Sequence, residues 1–571
     1  MVFLISADNL ADRAFARVTD AASAMAAAGK EMLAAGRFGT AVRLLDSARV
    51  LLSVVDDLEL RAGTLEALIG AYVDAGQVEL AEDLSAEADR LECSGLRPES
   101  LAALRIQLAW ADVLACDAGR GLARVRDTRA LLSGQGSDHL SLALDAVECW
   151  LLAQASQEAA ASQLASKVVG AASEHAQPEA ACHAWELLGA VARRTNPADS
   201  TAAFRRARLL ALRHGLPSHR LRAQLELGAD EWTRTGDATR LTLLYRETEH
   251  SHSLPVSCLA GTMIAIDLTL RGHYPQAHSL IERHLAQARD AGLITALRWA
   301  LLARSVLAGH QRRRRDLETA LNDLACQGSD GPYLMPLALT LGATVCALLE
   351  ADRQRAAHEL RRAAALDAAR PGPFPVTGWD GCEQPFGGSA DLPFWSRPFA
   401  QLSRGAMLGR KGHRAEALAA VTLAGRMAAP YPLMHHLGLR MIAELAHDDG
   451  WGAPVAWLRQ AEAFFHDFPA PALSNACRSL LQRMGAPAPQ HRQDADRIPG
   501  GLRALGVTVR EYEVLKAIAG GQGNKDVADV LCISPRTVEK HVASLLAKTG
   551  LASRKALAEL AGLDPPLKTS S

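Results

Sequence analysis

A glycine-centred turn followed by an alanine- and leucine-rich amphipathic run recurs along most of this chain, and that recurrence restricts the fold more than any other feature. Each copy has a turn residue, a polar stretch, then apolar residues at helical spacing. Gly36 precedes Arg-Phe-Gly-Thr-Ala-Val-Arg-Leu-Leu, and Gly76 precedes Gln-Val-Glu-Leu-Ala-Glu-Asp-Leu. Gly119, Gly236, Gly272, Gly309, Asp352 and Gly412 hold similar places. Neighbouring turns lie roughly 36 to 43 residues apart, with gaps near twice that where one copy is blurred. Two antiparallel helices and two turns have this period. A single helical hairpin cannot bury its apolar face alone, so hairpins stack and share a continuous core. The expected fold is all-α, with an α-solenoid of helical hairpins over residues 1–485 as the sensor or interaction part. An irregular helical domain without true repeats is the competing reading.

The repeat resembles the tetratricopeptide type. Each copy is longer than that family's thirty-four residues or so, and most of its aromatic positions are missing. Composition points the same way: 49% of residues are hydrophobic but only 5% aromatic. Ala and Leu lose little on entering a helix. With 571 residues, several packed units are expected. The net charge of −1 gives no global attraction to nucleic acid or membrane, so any surface for either must be local. No apolar run of about eighteen residues suggests a membrane span. The apolar start Val-Phe-Leu-Ile is too short for a signal peptide. Ten scattered cysteines without a C-x-x-C pair read as reduced core thiols of a cytoplasmic protein.

Residues 371–396 break the rhythm with a Pro-, Gly- and aromatic-rich insertion. An ordered plug between repeats is the first reading of this insertion; the alternative is a ligand or partner surface, with Trp379, Phe386, Phe394 and Trp395 as its candidates. Arg312–Arg315 reads as a solvated helix start, offset by Asp316 and Glu318. His435-His436 and the group His273, His278 and His284 lack companion ligands, so no metal site is expected. No phosphate loop or nucleophile elbow is present, so neither cofactor nor catalytic residue is expected.

Residues 486–500, APAPQHRQDADRIPG, read as a linker. A separate module follows at 501–567. Thr508 and Glu511 form a capping box ahead of a run carrying Val514, Leu515 and Ile518. Gly520 to Gly523 stop that helix, and Asn524 caps a second one carrying Val527, Val530 and Leu531. Ser534 caps a third helix, with Pro535 at its first position. Val538, Val542, Leu545 and Leu546 form its buried stripe. Gly550 ends it, and a short fourth helix fits between Arg554 and Ala561. Two short helices joined by a tight turn match helix-turn-helix geometry, with the third helix as the reader.

The opposite face of the third helix carries Arg536, Lys540, Ala543 and Ala547. Small Ala side chains permit close approach to a groove floor, and Arg536 and Lys540 reach guanine edges or phosphates. Glu539 can accept from a cytosine amine. Thr537, Lys525, Lys548 and Arg554 are candidates for the phosphate backbone. From Gly501 onward there are ten Lys or Arg against seven Asp or Glu, a modest local excess.

Val507–Leu515, Gly521–Ala528, Ile533–His541 and Lys548–Arg554 together resemble the LuxR-type helix-turn-helix. The resemblance implies a four-helix domain whose third helix enters the major groove and whose fourth often pairs in a dimer. It places Glu539, Lys540 and Ala543 at the family's usual base-reading positions. Gly523 stands where Ser is common there, and Glu539 and Ala543 where basic residues are frequent. Helical repeats before such a module resemble the large ATP-binding LuxR-type regulators. Their nucleotide loop has no counterpart here: Ala-Ala-Ala-Gly29-Lys30-Glu31 lacks the first glycine and the hydroxyl. The expectation is a homodimeric regulator of double-stranded DNA, not an enzyme, whose repeats receive a protein or small-molecule effector. A protein-interaction scaffold with an adaptor module is the alternative.

Overall fold

A computed structural model describes residues 2–562 except 56, 135–136, 175–176, 252, 328–333, 370–391, 469, 489–497, 520–521 and 532. The described residues are helical with no strand. They divide into two units. The first holds the described residues of Met1–Cys346, Gln354–Gly381 and Phe386–Arg397. The second holds those of Ala347–Arg353 and Pro398–Ser571.

Helical hairpins repeat through the first unit, and two kinds of helix alternate. One kind buries a single stripe. Tyr274–Asp290 covers Ala277, Ile281, His284, Leu285 and Ala288, one face of a helix with its other face in water. The other kind lies between neighbours and is buried nearly all round, as in Leu254–Leu270 and Ile294–His310. Each helix packs on its chain neighbours, and inner helices also meet the next inner helix. Proline opens several of them, at Pro98, Pro178, Pro197 and Pro217, where its missing N–H leaves no bond unmade. Burial pushes the thiols of Cys149, Cys182 and Cys258 up to about 12, so they act as small packing groups.

The turns depart from expectation in an informative way. Gly36, Gly76, Gly236, Gly272 and Gly412 take positive φ at hairpin turns. Gly119 and Gly309 do not; they lie within the helices Ala118–Leu132 and Ile294–His310. The left-handed residues at those turns are Cys116 and Arg312, and Ser156 and Ala351 serve elsewhere. Gly36, Gly76, Cys116 and Ser156 are thus spaced by forty residues each. Between Cys116 and Gly236 two turns lack glycine, at Ser156 and at Thr195-Asn196, so that interval holds one more repeat than the glycines suggest. A non-glycine residue in this conformation costs roughly 1–2 kcal/mol. Gly309 has a different task. A Cβ there would lie 2.3 Å from the carbonyl oxygen of Gly342, so glycine permits close contact with the π-helical turn Leu339–Ala343.

The stack of hairpins in the first unit curls until early repeats meet later ones. Arg222 Nη1 lies 3.3 Å from Asp74, and Arg298 Nη1 lies 3.5 Å from Cys116 Sγ. A Cβ on Gly76, already at φ +74°, would fall 2.1 Å from Leu293 and 2.6 Å from Pro255.

Of the aromatic insertion, Trp379 and Phe386 lie outside the described residues. Phe394 and Trp395 are only 6% and 3% exposed. Their rings lie 5.7 and 5.6 Å from that of Trp232, and the Phe394 N–H donates to the Thr233 carbonyl at 2.8 Å. These two side chains are spent on packing, as the plug reading expects, and form no open ligand surface, contrary to the alternative.

In the second unit, Arg414–Ala428, Pro432–Asp448, Pro454–Asp467 and Pro471–Arg483 continue the hairpin pattern. Glu462 is fully buried yet satisfied, accepting from Ser474 at 3.1 Å and Arg478 at 2.7 Å. The expected linker at 486–500 falls mostly outside the described residues.

Candidate nucleic-acid interface

Four helices build the terminal module: Val509–Ala519, Asn524–Leu531, Pro535–Thr549 and Arg554–Gly562. They close over Val514, Leu515, Ile518, Val527, Leu531, Val538, Leu545 and Leu557. Ile498 and Leu502 join this core ahead of the four helices, the latter from the short helix Gly500–Ala504. Val542 and Leu546 pack at its margin, so the expected stripe of the third helix faces inward.

The capping chemistry sets the start of each helix. Glu511 Oε2 accepts from the Thr508 N–H at 2.7 Å, completing a capping box. Ser534 Oγ accepts from the Thr537 N–H at 3.1 Å, and Pro535 follows at the first helical position. Asn524 departs from its expected role as cap. It is the first residue of its helix, where Asp526 reaches back to the Gly523 N–H at 3.1 Å. The Asn524 side-chain oxygen accepts from Arg554 instead.

Glu511 is the polar centre of the module. Burial alone would raise its pKa. Hydrogen bonds from Lys548, Ser544 and Thr508 outweigh that and hold it at about 2. Ser544 Oγ donates at 2.5 Å, and Lys548 Nζ lies 2.9 and 2.7 Å from the two carboxylate oxygens. One carboxylate thereby caps the first helix and clamps the third helix to it. Arg510 adds a second tie, donating to the Leu531 carbonyl at 2.5 Å beside the turn.

The expected site residues separate into two sets. Arg536, Glu539, Lys540 and Ala543 are exposed along the outer face of Pro535–Thr549, with Ala547 one turn further on. Lys525 is exposed at the start of Asn524–Leu531. Thr537 is half-buried, and its hydroxyl lies 2.8 Å from Ser534 Oγ. The second set is engaged inside the module. Lys548 is held by Glu511, and Arg554 donates to Asn524 and to the Gln522 carbonyl. These two cations, expected on phosphates, brace helices against one another. The capping box made Glu511 legible in the sequence; its partners thirty-three and thirty-seven residues on carried no local signal.

The model for bacterial regulatory proteins of the luxR family matches residues 506–561. The transcriptional regulatory protein FixJ of Azorhizobium caulinodans is 41% identical over 85 residues, 14% of this chain and 40% of that protein. The putative HTH-type transcriptional regulator Mb0914c of Mycobacterium bovis is 36% identical over 112 residues, 20% of this chain and 12% of that protein. The oxygen regulatory protein NreC of Staphylococcus aureus is 46% identical over 52 residues, 9% of this chain and 24% of that protein. The chain therefore spans less than half the length of each of these curated relatives. No helix among the described residues is long and apolar enough to cross a membrane. With its braced four-helix core, its capped third helix and the family match over the same residues, the segment 506–561 is a helix-turn-helix domain of the luxR family.

Proposed function

We propose that the protein is a DNA-binding transcriptional regulator of the cytoplasm, with a repeat body at 1–485, a linker at 486–500 and a reading domain at 501–567. The observation that carries this reading is the outer face of Pro535–Thr549. Arg536 and Lys540 stand exposed there beside the small side chains of Ala543 and Ala547, on a helix clamped from behind through Glu511. Arg536 and Lys540 read base edges, Glu539 discriminates at the margin, and Lys525 and Thr537 meet phosphate. Arg554–Gly562 presents Lys555 and Glu559 to solvent and serves as the pairing surface of a homodimer on DNA. The repeats receive an effector, and the chemistry of the protein is recognition, not catalysis.

The test is to map the bound sites across the source genome, then titrate one such duplex against the full chain and the double variant Arg536→Ala/Lys540→Ala. A good base contact contributes about 1–3 kcal/mol of discrimination, so the variant loses at least tenfold in specific affinity. Equal binding by both proteins would remove the reading face from this helix.

A further inference from the structure

Glu179 and His183 lie four residues apart in the helix Pro178–Ala192, and so on one face of it. His219 sits in the first turn of Pro217–Thr235. Packing of these two helices brings one donor atom from each of the three side chains within 4.8 Å of the others. The three donors border a cavity of about 680 Å³ within the first unit.

The surroundings orient the two imidazoles. His183 stacks on Trp110 with centroids 3.8 Å apart and meets His219 edge-on at 4.3 Å. Glu186 Oε1 lies 2.8 Å from His219 Nδ1. A carboxylate on one ring nitrogen fixes the tautomer that presents the lone pair of the other, the usual outer support of a metal-bound histidine. Arg222 lies beside the same ring, 3.1 Å from Nδ1 and 3.4 Å from Nε2. It is held by Glu186 and Asp74, each at 3.3 Å.

Carboxyl groups outnumber Lys and Arg around this cavity. Glu66, Asp74, Glu179 and Glu186 line it, against Lys30 and Arg222. Arg222 is engaged with Asp74 and Glu186, and Glu179 has no hydrogen bond or ion pair with either cation among the described contacts. Burial raises the carboxyl groups of Glu66 and Asp74, against the pull of Lys30 and Arg222 respectively, and a further cation in the cavity would offset that cost.

From this geometry we infer that Glu179, His183 and His219 form a binding site for a divalent transition-metal cation of the zinc class. Two imidazoles and one carboxylate are a donor set suited to that class, and the cavity leaves a fourth position for water or an effector group. Tetrahedral coordination brings donor atoms to about 3.3 Å apart, so rotamer adjustments of roughly an ångström close the site. A cation on His219 Nε2 pushes Arg222 toward the two carboxylates that already hold it.

The test uses the full chain, stripped with chelator, kept reduced, and with exposed Cys93 and Cys326 changed to Ser. It is titrated without DNA, with Zn²⁺ by calorimetry and with Co²⁺ by its visible absorption. One ion per chain is expected, with the intense visible bands of four-coordinate Co²⁺. Solvent reaches Glu179, so Glu179→Gln keeps the fold; it weakens binding by at least about tenfold, as does His183→Gln. Circular dichroism and thermal unfolding confirm that both variants are folded. No ion bound, or binding unchanged in both folded variants, overturns the site. Stabilisation by an organic polyamine in place of the metal, removed by the same variants, would assign the cavity to that ligand and also overturn it. DNA is absent throughout, so failure here leaves the regulator reading intact.

Discussion

At Glu511 a single carboxylate accepts hydrogen bonds from Thr508, Ser544 and Lys548, and its side chain is 6% exposed. A carboxyl held at about 2, below its ordinary 4.5, adds stability above pH 4.5 that is lost as pH falls toward 2. Glu511→Gln is expected to cost the module about 2–3 kcal/mol at neutral pH. The difference from wild type should shrink steadily below pH 4.5. Hydrogen exchange at amides 536–549 reads this locally; a gap independent of pH would show that ionisation of Glu511 does not hold the third helix. Lys548 belongs to the same argument. Sequence pattern placed it with Thr537, Lys525 and Arg554 as a candidate for the phosphate backbone. A buried carboxylate thirty-seven residues upstream claims it instead.

The helix Pro535–Thr549 carries two signals at different angles around one axis. Val538 and Leu545 point into the core, and Arg536, Lys540, Ala543 and Ala547 point out. A helical period of 3.6 residues makes both readable from sequence. Counterion release makes binding through such a face salt-dependent, with log affinity falling linearly in log salt. Replacing exposed Lys525 by Ala should weaken binding about equally across duplex sequences and lower the magnitude of the salt slope by about 1. A slope identical to wild type would take Lys525 off the phosphate backbone. Glu539 on the same face opposes this attraction, which makes the net charge of the reading face small.

Across the first unit, curvature of the repeats brings together residues far apart in sequence. Asp74 meets Arg222 across 148 residues, and Gly76 faces Leu293 and Pro255. Gly76→Ala adds left-handed strain and a clash, and is expected to destabilise by about 2–4 kcal/mol. Gly272 also has positive φ, +86°, but a Cβ there meets nothing within 4 Å. Gly272→Ala should therefore cost only about 1–2 kcal/mol. Comparing the thermal unfolding of the two variants separates backbone strain from close approach. Equal losses would mean that the early and later repeats do not press on each other at Gly76.

Helix type, hairpin period and most of the punctuation of the terminal module were written locally, Asn524 being the exception. Capping boxes, prolines at helix starts and apolar stripes act within one or two turns, so Thr508, Ser534 and Pro535 announce their roles without a partner elsewhere. Turns lacking glycine were hidden, because Cys116, Ser156 and Arg312 adopt a backbone conformation that their side chains do not advertise. The number of repeats between Gly119 and Gly236 was undercounted for that reason. Tertiary structure alone decided which charged groups face water and which face each other. It turned Lys548 and Arg554 inward, spent Phe394 and Trp395 on packing against Trp232, and gathered Glu179, His183 and His219 at one cavity. Side-chain identity fixes what a group can bind, whereas the small rotation between successive hairpins, accumulated over many repeats, fixes what it meets.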